Sequence, residues 1–280
     1  MNRTFSLLSP HGQAVLIAAL ALLIFTAFPF AWMISTAFKE SREIFVTPPT
    51  LWPRDFTTEN LARLFEETRF LTYFRNSLVV SLSTVATTLL FSTPAAYSLT
   101  RFRFYGREKV AALILFTYMF APIMIIIPFY VMVRYLGLTN THAGLVMAYT
   151  AFCLPFNLWM LRTFFQSIPV EIEEAAMMDG ASRLQAVIRV ILPLALPGVV
   201  ATGIFTFILA WNDYIFARVL LSADELKTLP VGIADLYNAS VVDWGMIMAA
   251  GLLVIAPVAG VFVFIQKYLV AGWGAGGVKG

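Results

Sequence analysis

Glu171, Glu173, Glu174 and Asp179 fall within one short polar interval, QSIPVEIEEAAMMDGASRLQAVIRVILPLALPG from Gln166 to Gly198. The chemistry such a cluster offers is ionic pairing. Pro169 suits a first helical position, and the three glutamates beside it complement the positive end of a helix dipole. Gly180 stands where a left-handed residue would end that helix, and Ser182 with Gln185 makes a capping box for a second short helix. Ala175 and Ala176 leave one face of the first helix nearly bare, so another protein's backbone could approach while Glu174 stays free to pair. The pattern predicts helix, tight turn, helix: a docking knob. The plainer alternative is an amphipathic helix pair that only caps the molecule.

A second polar group sits inside an apolar run, where Trp211, Asn212, Asp213 and Tyr214 follow one another about 16 residues, or roughly 24 Å, from the start of a helix. A charge at such depth is costly, so it faces protein or water and marks a solute route, the alternative being a structural group that braces the helix bundle or a gate. Thr202, Thr206 and Asp213 share one helical face. Planar polar groups beside aromatic faces suit a sugar, although Trp and Tyr also serve as interface anchors. Asn157 is a weaker candidate of the same kind. Ser77, Ser81, Thr84, Thr88 and Ser92 form a hydroxyl stripe on one helix, which favours helix packing over a hydrophilic path.

Other chemistry is excluded by what is absent. Cys153 is the one cysteine, and His11 and His142 give no metal-ligand spacing, so no metal site is expected. No phosphate loop of the form G-x-x-x-x-G-K-[ST] occurs; neither Lys227 nor Lys279 has the required neighbours. Asp213 alone does not make an intramembrane enzyme. No catalytic residue is assigned.

Of the 280 residues, 60% are hydrophobic and 12% charged, which no water-soluble core accommodates. The apolar residues are grouped in runs of the length, about 20, that a helix needs to cross a bilayer. Six spans are predicted, near 14–37, 77–100, 110–133, 143–161, 196–217 and 246–265, in one membrane domain over 1–280 with a loop at 166–195 and a tail at 268–280. The first run is too long for a secretory signal. Arg101, Arg103, Arg107 and Lys109, four basic residues in nine, put that short connection and both termini on the cytoplasmic side. The net charge of +3 lies at the ends of apolar runs, so it is a topology signal and not a nucleic-acid patch. Pro94, Pro122, Pro128, Pro155 and Pro257 within the spans are tolerated in a helical bundle.

Glu174-Ala175-Ala176, three residues, Gly180, nine residues, then Val190-Ile191-Leu192-Pro193 is similar to the EAA signature of ABC importer permeases, with Val190 for the usual isoleucine as its one departure. Ser35-Thr36-Ala37-Phe38-Lys39, AWNDYIFA around Asn212, and the terminal YLVAGWGAGGVKG resemble the carbohydrate branch, the MalG-type permeases.

The resemblance implies an all-α integral membrane protein: six transmembrane helices in a MetI-like permease bundle with a cytoplasmic coupling helix. It implies a bacterial inner-membrane subunit that imports a carbohydrate with a sister permease, two ATP-binding subunits and an extracytoplasmic solute-binding protein. ATP and Mg would be bound by the partner ATPases, leaving this chain without a cofactor. Glu174, Ala175, Ala176, Asp179 and Gly180 would form the ATPase contact. The tail, with Gly276, Gly277 and Lys279, would be a flexible strand between the ATPases. Leu220 to Trp244, carrying Asp224, Glu225, Asp235 and Asp243, would meet the solute-binding protein. A non-sugar substrate is the alternative within the class. A secondary transporter is less favoured, because no inverted repeat is visible and the loop would be unexplained.

Overall fold

The computed structural model describes the backbone of residues 10–276 except residue 240, and the side chains of residues 12–263 with the same exception. Among the described residues all regular structure is helical. The elements used below are α1 (Pro10–Ala37), α2 (Glu59–Glu67), α3 (Phe70–Arg101), α4 (Arg107–Thr117), α5 (Pro122–Tyr135), α6 (His142–Ser167), α7 (Val170–Met178), α8 (Arg183–Leu194), α9 (Leu196–Asn212), α10 (Ile215–Leu220), α11 (Leu229–Tyr237) and α12 (Trp244–Gly276).

Four helices (α1, α3, α6 and α12) are long and apolar enough to cross a membrane, and the number rises to six if each of two bent pairs counts as one span. The span expected over 110–133 is one of those pairs: α4 and α5 meet at 98° across Tyr118–Ala121. Pro122 opens α5 and holds Ala121 extended, at φ −61 and ψ 135. A proline donates no backbone hydrogen bond and disfavours helical geometry in the residue before it, so the chain turns there. The run over 196–217 ends at Asn212, and α8 meets α9 at 72° just before Pro197. The last helix runs past 265 to Gly276, so the tail glycines 272, 274 and 276 are helical and not a flexible strand. Gly277 and Lys279 lie outside the described residues.

The chain divides into two compact units. In the first, residues 1–68 with 235–256, the end of α1 is buckled to the following loop. Asn60, buried on α2, donates to the carbonyls of Ala37 at 3.0 Å and Lys39 at 2.8 Å. The buried Lys39 ammonium donates to the Thr50 carbonyl and lies 4.7 Å from the Trp32 ring centroid. Upstream, α1 exposes Ile17, Leu22, Ile24 and Phe25, a surface suited to lipid and not to water.

In the second unit, residues 69–234 with 257–280, α3 and α6 lie along each other and α9 packs on both. The hydroxyl stripe is wholly buried, as packing requires. Ser77 accepts from the Leu229 amide at 2.8 Å and Thr84 donates to the Val80 carbonyl one turn back. Thr87 and Thr150 join α3 to α6 at 2.6 Å. Where α9 nears α6, Gly198 is obligatory, because a Cβ there would sit 2.3 Å from Cγ of Phe164.

Candidate functional site

After α6, Ile168 and Pro169 are extended, and α7 begins at Val170. Pro169 is therefore the cap residue, one position before the first helical site that its type predicts. The far end closes as a full Schellman motif: the Ala181 amide donates to Ala176 O at 3.1 Å and the Gly180 amide to Met177 O at 3.1 Å. Gly180 has φ +89, which glycine adopts without strain. The chain then re-enters a helix through a complete capping box, with the Gln185 amide donating to Ser182 Oγ at 3.3 Å and the Ser182 amide to Gln185 Oε1 at 2.9 Å. Residues Val187–Ile191 of α8 form a π turn just before Pro193, where the helix ladder must open around a residue with no donor.

The glutamates of α7 have different tasks. Glu174 is exposed and engages no described residue; Ala175 and Asp179 are exposed beside it and Ala176 is half-buried. Glu173 is buried, its side chain 4% exposed, and Arg101 at the end of α3 is buried with it at 7%. Arg101 Nε donates to Glu173 Oε2 at 3.0 Å while its Nη2 donates to the Ile168 carbonyl at 2.9 Å. The Tyr97 hydroxyl donates to the other oxygen, Glu173 Oε1. Tyr97 is itself held edge-on by Phe102 and Phe165, each with centroids 6.0 Å away. The carboxylate thus ties α7 to the end of α3, and Arg101 extends the tie to the end of α6. Removing one partner of such a buried pair costs about 3–5 kcal/mol, because the remaining charge is stranded.

Reading all three glutamates as complements of the helix dipole missed this. Spacing gave no signal for it: Glu173 shares a face with Val170, which is exposed, and Met177, which is half-buried. Beside the tie lies a hollow of about 490 Å³ lined by Arg101, Arg103, Arg107, Arg183, Glu173 and Glu174. The Arg183 guanidinium sits 5.3 Å from the Phe102 ring centroid. The hollow thus sets exposed Glu174 among several cations.

The second predicted group is split by the fold. Trp211 is fully buried, stacked on Phe207 at 5.5 Å and edge-on to Phe74, so it offers a solute no surface in this conformation. Asn157 is also fully buried; its Nδ2 donates to Thr206 Oγ1 at 2.9 Å and to the Cys153 carbonyl at 2.9 Å, locking α6 to α9. Both are packing residues here and not lining. Asp213 follows the last residue of α9, and its Oδ2 accepts from the amides of Phe216 at 3.0 Å and Ala217 at 3.2 Å. It therefore starts α10 in the manner of a capping residue. The same oxygen accepts from the Tyr149 hydroxyl at 2.8 Å, so the depth penalty on this charge is offset by three donors. Asn212 is exposed, Tyr214 is 38% exposed, and Asn212 and Asp213 open onto a cleft of about 440 Å³ walled by Phe152, Phe205 and Phe216.

In the segment predicted to meet a binding protein, Asp224 is already engaged by Lys227 at 2.7 Å and by the Tyr73 hydroxyl at 3.1 Å. Asp243 pairs with Arg63 at 2.7 Å. Among the described residues no group of three or more His, Cys, Asp or Glu is placed to hold a metal.

The family of binding-protein-dependent transport system inner membrane components matches residues 92–274, which contain the whole helix–turn–helix site. The chain belongs to this family. The permease is similar to the inner membrane ABC transporter permease protein YcjP of Escherichia coli, at 39% identity over 260 residues, covering 92% of this chain and 93% of that protein. It is 37% identical to the sulfoquinovosyl glycerol transport system permease protein SmoH of Agrobacterium fabrum, covering 94% of this chain and 93% of its relative. Among solved structures, a chain of a bacterial ABC transporter involved in the import of the acidic polysaccharide alginate superposes with a TM-score of 0.79 at 28% identity, covering 93% of this permease and 98% of that chain. The fold is that of the MetI-like permeases, and the protein is a membrane-embedded subunit of an ABC transporter.

Proposed function

We propose that this permease carries a carbohydrate, an oligosaccharide or glycoside, across a bacterial inner membrane as one half of a heterodimer with a sister permease. The observation that carries the coupling reading is the α7–Gly180–α8 element, which presents Glu174 to solvent on a helix held rigidly from behind. One of the two ATP-binding subunits takes up α7, with Glu174 pairing a basic residue and Ala175 and Ala176 allowing close approach. Asp179 and Gly180 define the end of the contact. ATP and Mg belong to those subunits, and this chain performs no catalytic step and holds no cofactor. Both termini lie in the cytoplasm, as the basic connection around Arg103 and Arg107 favours, and an extracytoplasmic solute-binding protein delivers the cargo. Nucleic acid has no part.

The cleft beside Asn212 and Asp213 supports the carbohydrate reading, since aromatic walls with an exposed amide suit a sugar ring. Relatives named for a sulfoquinovosyl glycerol, a trehalose/maltose and a diacetylchitobiose system support the same class. The test is ATP hydrolysis by the reconstituted complex with its binding protein across a panel of saccharides, amino acids and peptides. At least one saccharide is expected to stimulate hydrolysis. Stimulation by amino acids or peptides alone would replace the carbohydrate assignment with the non-sugar alternative.

A further inference from the structure

Of the acids in the docking element, Glu173 cannot meet a partner protein, because both its oxygens are occupied inside the chain. Both its partners lie on one other helix. Tyr97 and Arg101 stand one turn apart at the end of α3, and Arg101 uses its second arm on the carbonyl of Ile168, the residue that ends α6. Three helix ends are therefore joined through the Glu173–Arg101 pair, α3 and α7 by the carboxylate and α6 by the guanidinium. All the contacting groups are buried: Tyr97 at 7%, Glu173 at 3% and Ile168 at 8% exposure. Charge-assisted bonds in a water-poor setting resist deformation, whereas the neighbouring exposed surface of α7 has no comparable tie.

We propose that Tyr97, Glu173 and Arg101 form a latch that makes α7 move as one body with the ends of α3 and α6, so that displacement of the docking helix becomes tilting of the spans. These are positioning residues: they touch neither nucleotide nor solute. The proposal rests on the coupling reading above and assigns transmission, as distinct from docking, to residues outside the Glu174 contact. Geometry distinguishes the two tasks, since Glu174 points to solvent one residue away from Glu173, which points inward.

The full complex with its ATPase subunits, in lipid nanodiscs, provides the test. Tyr214 is 38% exposed just beyond the break after α9, far along the chain from the latch, and a Tyr214→Cys substitution reports there through its rate of maleimide labelling. Labelling is compared without nucleotide and after trapping with ATP and vanadate. With the latch intact, trapping is expected to change the rate about tenfold. In the Glu173→Gln background, which keeps shape but loses the charge of the pair, vanadate-trapped nucleotide per complex stays the same while the labelling change falls below about twofold, the loss expected when a charge-assisted hydrogen bond is weakened. Tyr97→Phe, which keeps the ring packing, gives an intermediate change and covers the case in which Glu173→Gln does not assemble. If these variants trap nucleotide and respond like the parent, the latch is refuted while the docking reading stands. If the parent complex traps nucleotide without any response of the introduced thiol, the coupling reading fails and the latch with it.

Discussion

Gly180→Pro is expected to abolish ATP-driven uptake while leaving the permease inserted in the membrane. The reason is local. Gly180 occupies φ +89, whereas a proline ring fixes φ near −65°, and the Gly180 amide that donates to Met177 would be lost. The Schellman closure of α7 then cannot form, and Ser182 no longer stands where it starts α8. Because this element lies outside the apolar spans, insertion does not depend on it. Gly180→Ala separates conformation from contact: nothing lies within 4 Å of the added Cβ, so its cost is the left-handed backbone alone, roughly 1–2 kcal/mol. Uptake into proteoliposomes should therefore fall partially for alanine and to background for proline, with both proteins present at parental levels in the membrane. Parental uptake by the proline variant would refute the turn as the organising feature of the site.

Trp211→Ala is expected to destabilise the permease by about 3–5 kcal/mol, the cost of emptying a large buried aromatic site. Trp211 is fully enclosed between Phe74 and Phe207, so truncation leaves a cavity that no neighbouring backbone can fill. Its sequence neighbour supplies the contrast. Asn212 is exposed at the mouth of the aromatic cleft, and Asn212→Ala should change stability by no more than about 0.5 kcal/mol. Thermal unfolding of the purified variants, followed by tryptophan-independent light scattering, checks the pair. A Trp211→Ala protein as stable as its parent, with altered solute preference, would show that the indole belongs to the path after all.

The difference between these neighbours marks what could be read from sequence. The α7–Gly180–α8 element was legible because its bonds are local: the Schellman and capping-box contacts join residues at most five apart. The partners of Glu173 are 72 and 76 residues away, beyond any rule of spacing, and so its burial was hidden. Hydropathy found the apolar run over 110–133 but not its 98° bend, because an apolar average carries no direction; Pro122 was the only local sign. Asp213 was singled out for its cost in a membrane, and the structure shows how that cost is met, by Tyr149 and two amides at the start of α10. Trp211 and Asn157 have residue types suited to sugar, yet burial, which depends on the packing of α3, α6 and α9, assigns them to the interior.

On the coupling proposed above, exposed Glu174, on a helix fixed from behind by Glu173, is the contact through which an ATPase subunit grips this chain. Titration of the purified ATP-binding subunits onto the permease heterodimer in nanodiscs, parent against Glu174→Lys, tests it most directly. Reversal of a charge at the centre of an ion-paired contact should weaken binding at least about thirtyfold, corresponding to roughly 2–5 kcal/mol for a paired interfacial charge, with Glu171→Lys on the same helix far less affected. Equal affinities for the parent and Glu174→Lys complexes would contradict the account.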